Sequence, residues 1–180
     1  FFEEETPGEA STDAVLTRWA EAIEKAAGAL PAQTLIAANE TEKIALRTLR
    51  HHLPAAMNEL GAQARATGGR KVSTDWCVPL AHIGEMMAFA TDLCGREAPG
   101  PWLSYGHIGN GHPHFNLIAH DAAELSVCEL IHTRMVGRAL ALGGTFTAEH
   151  GIGKLKRRFL PAMLAPEHRA VLVAIRQALD

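Results

Sequence analysis

The sequence predicts an α+β fold: a mostly antiparallel sheet covered by helices on one face, with ferredoxin-like elements. Three observations carry this reading. Helical apolar periodicity alternates with short apolar runs bounded by Gly, Pro and Asn. Gly109-Asn110-Gly111 joins two such runs as a tight hairpin, because Asn and Gly tolerate positive φ. No repeat, low-complexity tract or long linker interrupts residues 1–180, which read as one compact domain.

The elements follow in order. Residues 1–5 read as the tail of a strand. Ser11, Thr12 or Asp13 caps a first helix with Val15, Leu16, Trp19, Ile23 and Ala26 on one face, stopped by Gly28 and Pro31. Residues 34–38 are short and apolar, as a buried strand would be. Asn39 opens the next helix, and Glu42 three residues later completes a capping-box pattern. Leu46, Leu49, Leu53, Met57 and Leu60 supply its stripe, and Pro54 should kink or divide it. Gly68-Gly69 turns into a strand over 71–78. Pro79 opens a third helix to about Leu93, with Ile83, Met86, Met87 and Ala90 inward. Strands over 102–108 and 114–119 flank the Gly-Asn-Gly turn. Asp121 caps a long helix ended by Gly143-Gly144, residues 149–153 form a loop, and a last helix covers 166–179.

Composition excludes several classes. The chain is 47% hydrophobic and 21% charged, as an ordered globular domain is. A formal net charge of −3 leaves no basic surplus to neutralise phosphates, which argues against a nucleic-acid partner. No apolar run approaches the ~20 residues that span a bilayer. Residues 1–5 lack the regions of a signal peptide. Cys77, Cys94 and Cys128, odd in number and without a CxxC pair, read as reduced thiols of a cytoplasmic protein.

Ten histidines are the unusual feature, and four of them crowd between His107 and His120. His107 and His114 flank the glycine turn, so the two strand edges can aim both imidazoles at one point. Glu149 is available as a third ligand. Two His and one carboxylate, with a position left open, make a catalytic rather than a structural metal set. His150, beside Glu149, is the candidate general base. Such a site suits an anionic, oxygen-rich substrate. Arg50 can grip a carboxylate with its fork, Lys71 can add a point charge, and Asn116 shares the strand face of His114. The bland alternatives are solvated turns and surface charges. His112 reads as turn decoration; His51, His52, His82, His120, His132 and His168 read as surface or packed residues. Lys154, Lys156, Arg157 and Arg158 read as a solvated basic face.

Gly106-His107-Ile108-Gly109-Asn110-Gly111-His112-Pro113-His114-Phe115-Asn116 resembles the GHxGxGxxHxN signature of FAD-linked oxidases of the D-lactate and D-2-hydroxyglutarate dehydrogenase and glycolate oxidase subunit group. The run from Gly143 through Glu149-His150-Gly151-Ile152-Gly153 is similar to that group's GGxxxxEHGxG block. Thr74-Asp75 with Val78-Pro79 resembles TDxxVP, and Arg50, Pro54 and Asn58-Glu59 resemble RxxxPxxxNE. The resemblance implies the C-terminal cap, or substrate, domain of a vanillyl-alcohol-oxidase-type flavoprotein, with FAD held mainly by a separate N-terminal domain. It implies a divalent metal, zinc by preference, on His107, His114 and Glu149. It gives the substrate carboxylate to Arg50, Lys71 and Asn116 and the hydroxyl proton to His150. On this reading the chain is a domain of a longer enzyme that oxidises a small 2-hydroxy acid. It would pass electrons to a cytochrome, a quinone or an electron-transfer flavoprotein, from the cytoplasm or the periphery of the inner membrane. An alkylglycerone-phosphate-synthase-like transferase, a metal-dependent hydrolase and a non-catalytic metal-binding module are the alternatives.

Overall fold

The computed structural model describes residues 12–29, 32, 34–37 and 39–179. The expected strand tail at 1–5, the Ser11 cap, the Pro31 stop and Ala38 lie outside the described residues. The chain divides into two compact units, residues 1–55 and 56–180.

The first unit contains α1 (Thr12–Ala27) and the start of α2 (Glu40–Ala64). Asn39 caps α2 as its sequence requires, its side-chain oxygen accepting the Glu42 N–H at 3.0 Å. Three expectations fail along this stretch. Residues 34–37 form no strand, and Leu35 and Ile36 are exposed. Apolar character alone does not make a strand, since a strand also needs a neighbour to complete its hydrogen bonds. The stripe on α2 is also less buried than expected, with Leu49, Leu53 and Leu60 exposed. Pro54 does not divide the helix.

The second unit holds the sheet. β1 (Gly68–Ser73), β2 (Trp102–His107) and β3 (His112–Asp121) run antiparallel in the order β1-β3-β2. α3 (Ile83–Glu97) connects β1 to β2, and α4 (Ala122–Ala141) follows β3. The Asp121 carboxylate caps α4 by accepting the Glu124 N–H at 2.8 Å. Shorter pieces follow: α5 (Gly153–Lys156), α6 (Leu160–Met163) and α7 (Pro166–Leu179).

Strand alternation sorts the side chains of β3 into two sets. Phe115, Leu117 and Ala119 face α3 and α4, burying Met86, Leu93, Ile131 and Met135 in the main core. Trp76 and Trp102 stack on Phe115 from either side, with ring centroids 6.1 and 5.9 Å away. The opposite set is His112, His114, Asn116 and Ile118. Ile118 packs with Leu103, Tyr105 and the end of α2 through Met57 and Ala64. The sheet's second face thus combines a small apolar cluster with a row of polar side chains, and this row belongs to the candidate site.

Candidate metal and substrate site

Residues 74–78, which continue from β1, are the support on which the site is assembled. Thr74 exchanges backbone and side-chain hydrogen bonds with Phe115. Cys77 and Thr145 bond in both directions at 2.8 and 3.0 Å, and the Val78 N–H reaches the Gly111 carbonyl at 3.0 Å. Two glycines permit this closeness. A Cβ at Gly111, whose φ is +70°, would run into the Val78 carbonyl oxygen, and one at Gly144 into that of Cys77. The two glycine-rich motifs therefore dock on one short segment.

Asp75 is the centre of that segment, 1% exposed. Its carboxylate accepts the Thr147 hydroxyl at 3.1 Å and the backbone N–H groups of Glu149 and His150 at 3.2 Å each. The Lys156 ammonium also donates to it. Burial alone would raise its pKa. The Lys156 hydrogen bond and charge, with the two N–H groups, prevail and hold it well below the usual carboxylate range.

Glu149 is where three imidazoles converge. Its Oε1 lies 3.3 Å from His107 Nε2 and 3.6 Å from His112 Nδ1, and its Oε2 lies 3.4 Å from His114 Nε2. Two of these rings are fixed from behind. His114 Nδ1 donates to the Thr74 carbonyl at 3.0 Å, which turns its Nε2 toward Glu149. His112 Nε2 meets the Asp75 carboxylate at 3.1 Å, which leaves its Nδ1 lone pair toward Glu149. Burial and the neighbouring His114 push the His112 pKa down against the pull of Glu149 and Asp75. His150 stands beside His114, ring centroids 5.2 Å apart.

His107, His114, Glu149 and His150 thus come together. Among the described residues, the sets whose donor atoms all lie within 4.8 Å of one another are His112/His114/Glu149 and Asp75/His114/His150. His107 touches Glu149 from outside these sets and is half-exposed. Asn116, 1% exposed, shares the His114 face; its Oδ1 accepts the Ser73 hydroxyl, and its buried Nδ2 has no partner. Lys71 lies on β1 opposite Ile118, its ammonium 2.5 Å from Asn58 Oδ1, and burial lowers its pKa. Arg50 is an exposed residue of α2 in the first unit.

Two residues carry more than their sequence reading gave them. His112 is not turn decoration: it is 3% exposed and bridges Asp75 and Glu149. The period-2 rule that links His114 to Asn116 also links His112 to His114, and β3 begins at His112 rather than after Pro113. Lys156 is likewise no part of a solvated basic face, since its ammonium meets Asp75. A lone buried carboxylate partner 81 residues away leaves no local pattern to read.

The sequence model of the family described as "FAD linked oxidases, C-terminal domain" matches residues 8–180. The chain belongs to that family. A probable mitochondrial D-lactate dehydrogenase of Danio rerio is 34% identical over 123 residues, 66% of this chain and 24% of that protein. Glycolate oxidase subunit GlcD of Bacillus subtilis (strain 168) is 28% identical over 162 residues, 89% of this chain and 32% of that protein. A D-2-hydroxyglutarate dehydrogenase of Xanthomonas citri pv. viticola is 33% identical over 81 residues, 42% of this chain and 17% of that protein. The chain therefore spans a third or less of the length of these relatives. Among its described residues, no helix is long and apolar enough to cross a membrane.

Proposed function

We propose that this chain is the substrate- and metal-binding cap of an FAD-dependent D-2-hydroxy-acid dehydrogenase, which oxidises a 2-hydroxy acid to a 2-oxo acid. The observation that carries the reading is the His114–Glu149 pair. An imidazole locked by the Thr74 carbonyl presents Nε2 3.4 Å from a carboxylate, with His150 alongside.

The donor set suits a divalent metal: neutral imidazole nitrogens, one carboxylate, and exposed space for a substrate oxygen. We assign the metal to His107, His114 and Glu149, with zinc preferred and His112 adjoining. When bound, the metal lowers the pKa of a substrate hydroxyl and FAD supplies the hydride acceptor. This chain's residues do the rest. His150 takes the hydroxyl proton on its imidazole. Asn116 Nδ2, a buried donor without a partner, fits a substrate carboxylate oxygen, and Lys71 contributes positive charge to that carboxylate. Asp75 holds the Glu149 and His150 backbones at one spacing, so base and ligand keep their relation to the substrate. None of these residues is assigned to FAD, which we give to a separate domain. Three free cysteines fit a reducing compartment.

The test joins this chain to an FAD-binding half and follows anaerobic bleaching of the flavin by D- and L-lactate, glycolate and D-2-hydroxyglutarate. Bleaching by a D-acid, lost on chelation and in His150→Ala, is the expected result. No bleaching in protein carrying full FAD and metal would overturn the reading in favour of a transferase or a non-catalytic module.

A further inference from the structure

On the β1 side of the domain, outside the Glu149 cluster, lies a cavity of about 120 Å³. That is roughly four times the ~30 Å³ share of one water and far below the ~300 Å³ of a pocket for a drug-sized ligand. Arg70 and Lys71 of β1, Glu129 and His132 of α4, and Lys156 and Arg158 of the segment after the second glycine motif line it. Four cations thus face one carboxylate. Glu129 is shared, 2.5 Å from Arg70 and 3.7 Å from Arg158. Lys71 bonds Asn58, and Lys156 bonds Asp75 and the Gly151 carbonyl, so these two are partly committed elsewhere.

Two nitrogens of these lining residues are buried without a partner. His132 is 8% exposed, and its buried Nε2 has no hydrogen-bond partner. Arg70 Nε is buried and has none either. Buried polar atoms without partners are uncommon in native proteins and point to a group that completes them. Two N–H donors among surplus positive charge are complementary to an oxyanion.

We propose that this cavity binds a small oxyanion, a carboxylate or phosphate group, which accepts from His132 Nε2–H and the Arg70 guanidinium and is neutralised by Arg158 and Lys156. The electrostatic setting agrees. Burial, then Arg158 and Lys156, hold the His132 pKa down to about 4, against the weaker pull of Glu129 and Asp75. The ring is neutral at pH 7, where it can offer its Nε2–H tautomer without adding charge. Lys156 ties the cavity to the other site, because the same ammonium anchors Asp75 beneath the Glu149–His150 backbone. An anion drawing on Lys156 would weaken that anchor, so occupancy of the two sites would be coupled.

The test uses the full chain, metal-free, with inorganic phosphate and acetate as probes. Calorimetry reads the binding, and imidazole and guanidinium NMR resonances read its place. Phosphate or acetate should bind one-to-one and shift His132 and Arg70 Nε. Arg70→Gln and Arg158→Gln, both on half-exposed side chains that can be replaced without opening the core, should each weaken binding about tenfold. His107→Ala should leave it unchanged. A response to phosphate alone assigns a phosphoryl ligand; an equal or stronger response to acetate assigns a carboxylate. The proposal is overturned if millimolar anion leaves His132 and Arg70 unmoved, if only His107 and His150 respond, or if Arg70→Gln binds as the parent does.

Discussion

The Lys156 ammonium meets the Asp75 carboxylate across 81 residues of chain, and the same carboxylate holds the backbone N–H groups of Glu149 and His150. One buried ion pair therefore connects β1's extension, the second glycine motif and α5.

Breaking that pair should be costly. Asp75→Asn removes the charge and leaves the Lys156 ammonium largely buried, a situation that typically costs about 3–5 kcal/mol. Urea unfolding of Asp75→Asn and Lys156→Met would measure it. The double variant should cost less than the sum of the two, because neither charge is then left alone. Strict additivity would show that the pair does not hold the loop.

Metal affinity should depend on His112 even though it is not assigned as a ligand. It stands between Asp75 and Glu149, and outer partners of metal ligands are commonly worth about 10–100-fold in affinity. Zinc titration of His112→Ala should show a loss in that range. His114→Ala and Glu149→Gln should abolish binding. If His112→Ala abolishes binding and His107→Ala leaves it intact, the third ligand is His112.

Stability should fall on mild acidification because of His132. Its pKa is 6.5 in an open chain and about 4 in the fold. The unfolded chain thus binds the extra proton between these values, and unfolding gains. The contribution is fully present above pH 6.5 and is lost as pH falls toward 4. At about 1.4 kcal/mol per pKa unit, the total reaches about 3 kcal/mol. Denaturation midpoints measured between pH 7 and pH 4 should show this slope, and His132→Leu should flatten it.

The two glycines of the β2–β3 turn should differ sharply. Gly111→Ala places a methyl group against the Val78 carbonyl at a φ of +70° and should cost at least about 2 kcal/mol. Gly109 has open space around its Cβ position and no positive φ, so Gly109→Ala should stay within about 0.5 kcal/mol. Thermal unfolding of both variants would decide it.

Helices and hairpin were legible because their signals are local. Asn39 and Asp121 cap where their side chains predict, and Gly109-Asn110-Gly111 turns the chain between β2 and β3. The approach of His107 and His114 was legible from their spacing about the glycine turn, whereas the addition of Glu149 to them was what the family resemblance implied. What was hidden is what depends on distant contacts. Residues 34–37 have the composition of a strand, yet among the described residues they pair with no strand. His112 reads as turn decoration from the sequence, yet pairing with His107 carries it into β3 as a buried residue. His132 lies at an unremarkable helix position, and distant packing, with Phe159 at a ring-centroid distance of 5.6 Å, goes with its burial.

The contacts that assemble the Glu149 cluster join residues far apart in the chain: Asp75 with His112, 37 positions on; Thr74 with His114, 40 on; and Asp75 with Glu149, 74 on. Closing loops of that length is slow, so this cluster should mature late in folding, after β1 and β3 have paired. Collapsed intermediates would then carry the histidines without their common geometry and have little hold on metal. Metal would select the finished fold, and at saturating concentration it would slow opening of residues 74–78 while leaving the rate at which the sheet first forms nearly untouched.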